Sequence, residues 1–277
     1  MTRPRYSRLR VPRRAREDAI VGRLFLYGPL GLAEEGRDLV ACFRDPDAAR
    51  AAQRDLEAKR IRCDLVTDIP EEDPLEAFRL AARPFIVGRG FWIDPGEPSD
   101  SSAPAGRIAL RLPASRAFGT GGHESTRLAL LALEEDPPAG RSVLDVGTGS
   151  GVLALAAAAL GARRAVGLDC DSDAVFVASE NLRRHPFGER VALAAGTVDA
   201  VEGRFDVVLA NLLPEEFLPQ RRAILARVQP GGRLVISGIP RDREEEILAR
   251  VRSKRWRLAA KRSENAWTSL CLERASS

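Results

Sequence analysis

Two hydrophobic rhythms run along this chain, a period of two and a period near 3.6, and they mark half-buried strands and amphipathic helices. Residues 6–11 set Tyr6, Leu9 and Val11 among polar neighbours, as a strand with one wet face does. Residues 14–26 then space Ala15, Ala19, Ile20 and Leu24 as a helix does. Short strands are expected near 31–33, at 39–43 and at 61–66, with a helix between the last two that Asp45 caps and that runs through Ala58. The order β-α-β-β-α-β predicts a small ferredoxin-like α+β domain over residues 1–68.

Residues 69–116 read as a linker with a helix at 73–82 and a hairpin of two strands, 84–93 and 107–112. The Pro/Gly/Ser-rich stretch 94–106 between those strands is expected to be an exposed loop. From residue 117 to 277 the character changes. Strand-like runs at 143–145, 165–169, 191–194, 205–211 and 233–237 alternate with helix-like runs at 152–160, 172–185, 214–228 and 243–252. That alternation predicts a doubly wound α/β sheet. Two further strands, 257–260 and 268–272, are too close in sequence to enclose a crossover helix and should pair antiparallel. The expected result is a seven-stranded, mostly parallel Rossmann-like sheet with one reversed strand.

Candidate chemistry gathers where strands of this sheet end. In Val143-Leu-Asp-Val-Gly-Thr-Gly-Ser-Gly151 three glycines fall on alternate positions, at the turn from a buried strand into a helix. Glycine permits a positive φ and a close approach of ligand to backbone. Dinucleotide folds use G-x-G-x-x-G, with a pyrophosphate at the helix N-terminus. Here the third glycine comes one residue early and Asp145 precedes the turn, and a carboxylate there suits a cationic ligand. The spacing therefore points to S-adenosylmethionine, with Gly147 and Gly149 lining the cofactor and Asp145 near its ammonium group. Asp169 ends the next strand, where an acid accepts hydrogen bonds from ribose hydroxyls; the alternative is a surface aspartate capping the following helix, a job Asp171 or Ser172 could do instead. Thr197, after Gly196, follows the third strand, where this fold places adenine.

Composition changes the picture little. The chain has 277 residues, 44% of them hydrophobic, and a net charge of +4 carried almost wholly by arginine. Seven arginines fall in the first sixteen residues. This bias reads either as a genomic habit or as contact with RNA phosphate. No apolar run reaches membrane-spanning length and no secretory signal is evident, so a cytoplasmic protein without membrane contact is expected. Cys42, Cys63, Cys170 and Cys271 form no C-x-x-C pair, and only His123 and His185 supply imidazole. No metal site is expected, and each cysteine is expected to be a small buried hydrophobe.

Ala117-Phe-Gly-Thr-Gly-Gly-His-Glu-Ser-Thr126 resembles the signature of the bacterial ribosomal protein L-eleven lysine methyltransferases. The resemblance continues through 143–151, 167–169, Ala210-Asn-Leu212 and Pro230-Gly-Gly232, and outside the core through 84–88 and the N-terminal pattern. It implies cofactor contacts at Thr126, Gly147, Asp169 and Asn211. It also implies a loop at Phe118, Gly119 and Thr120 that folds over the bound cofactor. His123 is a structural hydrogen-bonding residue of that loop or a member of the active site. Asn211 is the candidate catalytic residue, its amide oxygen orienting a substrate amine. Glu215 and Glu216 start a helix and offer no strong general base.

The implied activity is methyl transfer to lysine or N-terminal amino groups of a large-subunit ribosomal protein, free or on the ribosome, with incidental rRNA contact. The small N-terminal domain would recognise that substrate. Gly122 and Glu124-Ser125 depart from the family's common Thr and Pro-Thr, and Asn211-Leu-Leu-Pro214 from its N-I-L-A, and these changes leave the acceptor open. Alternatives are another protein lysine, RNA or a small molecule as acceptor, or a non-catalytic interaction module with a degenerate cofactor site.

Overall fold

The computed structural model describes residues 5–12, 17–35, 38–70, 82–96, 101–113 and 121–276. Phe118, Gly119, Thr120 and nearly all of the helix expected at 73–82 lie outside the described residues. The chain forms two compact units, Met1–Ala81 and Ala82–Ser277.

The first unit runs β1 (Arg5–Pro12), α1 (Glu17–Phe25), β2 (Gly31–Glu35), β3 (Asp38–Phe43), α2 (Pro46–Ala58) and β4 (Asp64–Pro70). Its antiparallel sheet has the order β2-β3-β1-β4, the arrangement a ferredoxin-like unit requires. Leu9 and Val11 of β1 and Leu39, Ala41 and Phe43 of β3 share a core with Leu24 of α1 and Ala49, Ala52 and Leu56 of α2. Asp45 caps α2 as expected, its carboxylate accepting the Asp47 N–H at 2.9 Å. The strand expected at 61–66 starts three residues late. The cause is the helix terminus: Arg60 turns left-handed (φ 59°), and the N–H groups of Arg60 and Ile61 return to the carbonyls of Glu57 and Leu56. The arginines of β1 are matched within the unit. Arg5 pairs with Asp68, and both Arg8 and Arg10 pair with Glu35.

In the second unit the chain proceeds through β5 (Phe85–Val87), β6 (Phe91–Asp94), β7 (Ile108–Arg111), α3 (Glu124–Glu135), β8 (Ser142–Val146), α4 (Val152–Ala159), β9 (Arg164–Asp169) and α5 (Ser172–Arg183). It continues with β10 (Val191–Ala195), β11 (Phe205–Asn211), α6 (Pro214–Arg227), β12 (Val228–Pro240), α7 (Glu244–Val251), β13 (Trp256–Glu264) and β14 (Trp267–Arg274). The main sheet has seven strands in the order β10-β9-β8-β11-β12-β14-β13. The strands β8 to β12 pair in parallel, and β14 runs antiparallel to both neighbours, as the short β13–β14 connection required. Strand order reverses at β8, so a crevice opens beyond the carboxyl ends of β8 and β11.

Alternating residues send the two faces of this sheet into separate cores. Val143, Val207, Leu209 and Val235 join residues of α3 and α4. Leu144, Val208, Leu234 and Ile236 join Phe217 and Ile224 of α6 and Ile247, Leu248 and Val251 of α7. Burying each such side chain stabilises the fold by roughly 1.5–3 kcal/mol before entropy is counted.

The segment before the main sheet departs from expectation. Gly88 (φ 57°) breaks 84–93 into an antiparallel hairpin, β5 against β6, with Phe85 opposite Ile93. The strand near 107–112 then pairs parallel to β6, so 84–93 and 107–112 are not the two arms of a hairpin. Asp94, expected in an exposed loop, ends β6 and is fully buried. Helix α3 was not anticipated. Among the cysteines, Cys63 is buried but Cys170 is exposed, against the expectation for all four.

Candidate functional site

The turn from β8 into α4 is built on left-handed glycines. Gly147, Gly149 and Gly151 have φ of 72°, 54° and 82°. A Cβ at Gly147 would lie 2.4 Å from Leu212 Cδ2, so glycine there also makes room for the residue after Asn211. Backbone and side-chain bonds fix the loop from outside. Thr148 N–H donates to Leu168 O at 2.8 Å, Gly149 N–H to Asp169 Oδ2 at 2.9 Å, and Asn181 Nδ2 to Ser150 O at 2.9 Å.

Asp145 is fully buried. Its Oδ2 accepts the Thr148 hydroxyl at 2.7 Å and the Ala154 N–H at 3.2 Å, while its Oδ1 is buried without a hydrogen-bond partner. Burial pushes its pKa from 3.8 up to about 6; the two hydrogen bonds oppose the rise and the Asp169 charge adds to it. A buried carboxylate with a free oxygen is costly unless a positive group completes it.

Asp169 does more than the sequence implied. Besides holding Gly149, its Oδ1 accepts the Asp171 N–H at 3.0 Å, and its carbonyl accepts the Gly196 N–H at 2.7 Å. Both carboxylate oxygens keep a lone pair for a further donor. The cap of α5 falls to Asp171, whose side chain accepts the Asp173 N–H. Thr197 is exposed beyond β10, at the start of a short 3-10 turn, at the same end of the sheet as Asp169, which pairs with Ala195 of β10.

At the end of β11, Asn211 Nδ2 donates to the fully buried Thr126 Oγ1 at 3.2 Å. The amide oxygen of Asn211 is buried and has no partner. One amide thus has a donor N–H engaged by Thr126 and its acceptor oxygen free. His123 has a structural part: it is the N-cap of α3, its Nδ1 accepting the Ser125 N–H at 3.2 Å, and its ring meets Trp267 edge-on at 4.7 Å. Burial lowers its pKa, which favours the neutral ring that a cap acceptor needs. Glu216 closes the start of α6 by accepting the Leu213 N–H at 2.9 Å, and Glu215 pairs with Arg243.

The structure therefore brings Asp145, Gly147, Gly149, Asp169, Thr126 and Asn211 to one end of the sheet. It adds two residues that sequence reasoning missed. Leu212 covers Gly147, and Ser237, opposite Asn211 on β12, donates from Oγ to Ser125 O at 2.7 Å. The available signal for Ser237 was a polar residue closing the apolar run 233–237. Among the described residues no three His, Cys, Asp or Glu side chains cluster as metal ligands, and no helix is long and apolar enough to cross a membrane.

Comparison with known proteins identifies the arrangement. Residues 32–275 match the model of the family described as ribosomal protein L11 methyltransferase (PrmA). The chain belongs to this family. A relative named ribosomal protein L11 methyltransferase from Geobacter metallireducens is 42% identical over 205 residues, covering 74% of this chain and 67% of the relative. Its namesake from Pelobacter propionicus is 38% identical over 219 residues, covering 76% and 70%. A crystal structure of ribosomal protein L11 methylase from Lactobacillus delbrueckii subsp. bulgaricus superposes with a TM-score of 0.64 at 29% identity, over 70% of this chain and all of that one. The L11 methyltransferase family match spans the whole seven-stranded sheet and every site residue named above. The protein is accordingly a methyltransferase with a Rossmann-like α/β fold, as the glycine spacing and the Phe118–Thr126 signature implied.

Proposed function

We propose that this protein uses S-adenosylmethionine to methylate amino groups, of lysine or the N-terminus, on ribosomal protein L11. The observation that carries the reading is the amide of Asn211, anchored by Thr126 through nitrogen and buried with a free oxygen at the mouth of the glycine turn. That oxygen is an acceptor for an amine N–H, and accepting it aims the nitrogen lone pair. The unpartnered Oδ1 of Asp145 fits an ammonium group, and the spare lone pairs of Asp169 fit ribose hydroxyls. When bound, the cofactor supplies a sulfonium methyl: the N–CH3 bond forms as the S–CH3 bond breaks, S-adenosylhomocysteine leaves, and the amine proton passes to solvent. For such a direct displacement, alignment of the reacting atoms is a large part of the acceleration. Gly147, Gly149, Thr126, Thr197 and Asn211 complete the proposed cofactor contacts, with Phe118, Gly119 and Thr120 as the covering loop.

The N-terminal unit is proposed to recognise the ribosomal protein, and the cytoplasm is the proposed place of action. Among the described residues, Arg5, Arg8 and Arg10 are ion-paired within the unit and add no support for an rRNA contact. The test is transfer of labelled methyl groups to L11, offered free and on intact ribosomes, with mass spectrometry to locate them. Asn211→Ala should mainly lower turnover, by about 100-fold in kcat, the scale of a lost alignment, with a smaller effect on cofactor Kd. Absence of label from L11 in both forms would sink the assignment of acceptor.

A further inference from the structure

We infer that Ser237 is a positioning residue for methyl transfer, clamping the two elements whose meeting orients Asn211. The inference rests on the reading of Asn211 given above. Asn211 is on β11 and Thr126 is on α3, 85 positions apart in sequence, and their 3.2 Å bond survives only if helix and sheet keep their spacing. Ser237 touches both sides. It lies directly opposite Asn211 in the parallel β11–β12 register. Its carbonyl accepts the Leu212 N–H at 3.2 Å, fixing the backbone just past Asn211. Its hydroxyl donates to Ser125 O at 2.7 Å, fixing the first turn of α3 one residue before Thr126. Ser237 and Thr126 are fully buried and Ser125 nearly so, so no water competes for these bonds.

The next residue tightens the clamp. Gly238 has φ 78°, and a Cβ there would lie 2.7 Å from Leu212 O and 3.1 Å from Asn211 Oδ1. β12 thus passes close under the Asn211 amide, and glycine at 238 leaves no side chain against its oxygen. Ser237 itself does not reach the reacting atoms. It acts through Ser125, Thr126 and Leu212.

The experiment is a double-mutant cycle on the full chain. Ser237→Ala should lower kcat about tenfold or more, since displacements near 1 Å carry penalties up to about 100-fold. The KM for S-adenosylmethionine should change less than kcat, because Asp145 and Asp169 are untouched even where Thr126 shifts. In an Asn211→Ala background, Ser237→Ala should have no further effect on kcat, since the group being positioned is gone. Ser237→Cys, which keeps a weaker donor, should fall between wild type and alanine. Circular dichroism and thermal unfolding of each variant separate loss of fold from loss of alignment. If Asn211→Ala keeps full turnover, the underlying reading fails. If Asn211→Ala is impaired while Ser237→Ala keeps wild-type kcat, or the two effects multiply independently, this inference alone is overturned.

Discussion

Replacing Asp145 by asparagine should make the free protein relatively more stable at high pH while weakening its grip on cofactor. Asp145 is buried in full and its pKa is raised from 3.8 to about 6, chiefly by burial. A carboxyl whose folded pKa lies above its unfolded one stabilises the fold below the unfolded value, and that contribution is lost as pH rises through the folded value. At about 1.4 kcal/mol per pH unit, ionising Asp145 costs the free protein on the order of 3 kcal/mol by neutral pH. Asparagine keeps an oxygen for the Thr148 hydroxyl and Ala154 N–H but has no charge to desolvate. Its NH2 group takes the place of the unpartnered oxygen and adds an offset of about 1–3 kcal/mol that does not vary with pH. The informative quantity is therefore the stability difference between Asp145→Asn and wild type. It should move by about 2.5 kcal/mol in favour of the variant between pH 4 and pH 8, with most of the change between 4 and 6. Urea unfolding of the cofactor-free proteins across that range measures it. Calorimetry with S-adenosylhomocysteine, which retains the ammonium group, supplies the second readout. Wild-type affinity should rise as pH passes 6, because only the ionised carboxylate attracts the cation, and the variant should bind weakly at every pH. A stability difference flat with pH, or unaltered pH dependence of binding in the variant, would refute the reasoning.

Three further outcomes are expected. Asp169→Ala should weaken cofactor binding at least tenfold by calorimetry and also destabilise the free protein by about 1–3 kcal/mol, because it frees the Gly149 and Asp171 N–H groups; unchanged stability would mean the carboxylate does not pin the loop. Gly147→Ala should lower cofactor affinity and turnover together, since the new methyl meets Leu212 at 2.4 Å in a backbone conformation at φ 72°, and wild-type kinetics would show that the turn yields freely. His185 accepts the Arg111 N–H through Nε2 at 2.9 Å, with Nδ1 on Asn181 O at 2.7 Å, and burial lowers its pKa. That stabilisation is present above the ordinary value of 6.5 and is lost as pH falls below it, so His185→Ala should cost about 1–3 kcal/mol at pH 8 and less at pH 5, and an equal cost at both would count against it.

Much of the second unit was legible because its signals are local. Short apolar runs separated by helical spacing are sufficient to predict a doubly wound sheet, and the short connection between 257–260 and 268–272 is sufficient to predict that β13 and β14 pair antiparallel, as they do around a turn at Asn265 (φ 49°). Where the sequence misled, a contact distant along the chain intervened. The run 84–93 carries one continuous apolar signal, but Gly88 turns it, with the Arg89 N–H held by Glu134 Oε1 at 2.7 Å. Helix α3 hides in a segment whose glycines and polar residues dominate its start, and its apolar face at Leu128, Ala129, Leu130, Ala132 and Leu133 is visible only after the signature ends.

The candidate site divides the same way. By itself the sequence determined the glycine turn, because only glycine occupies three left-handed positions at low cost, and with it the acid before the turn and the acid ending the next strand. Only the tertiary structure decided what those groups do. Whether Asp169 pins the loop, whether Asp145 keeps an unmatched oxygen and whether Asn211 keeps its amide oxygen free depend on the donors that arrive from Gly149 and Ala154 and on the acceptor that Thr126 offers. Hydrogen bonds have a reach of about 3 Å, and closing them across 85 positions of sequence, from Thr126 to Asn211, requires the helix–sheet packing that Ser237 fastens.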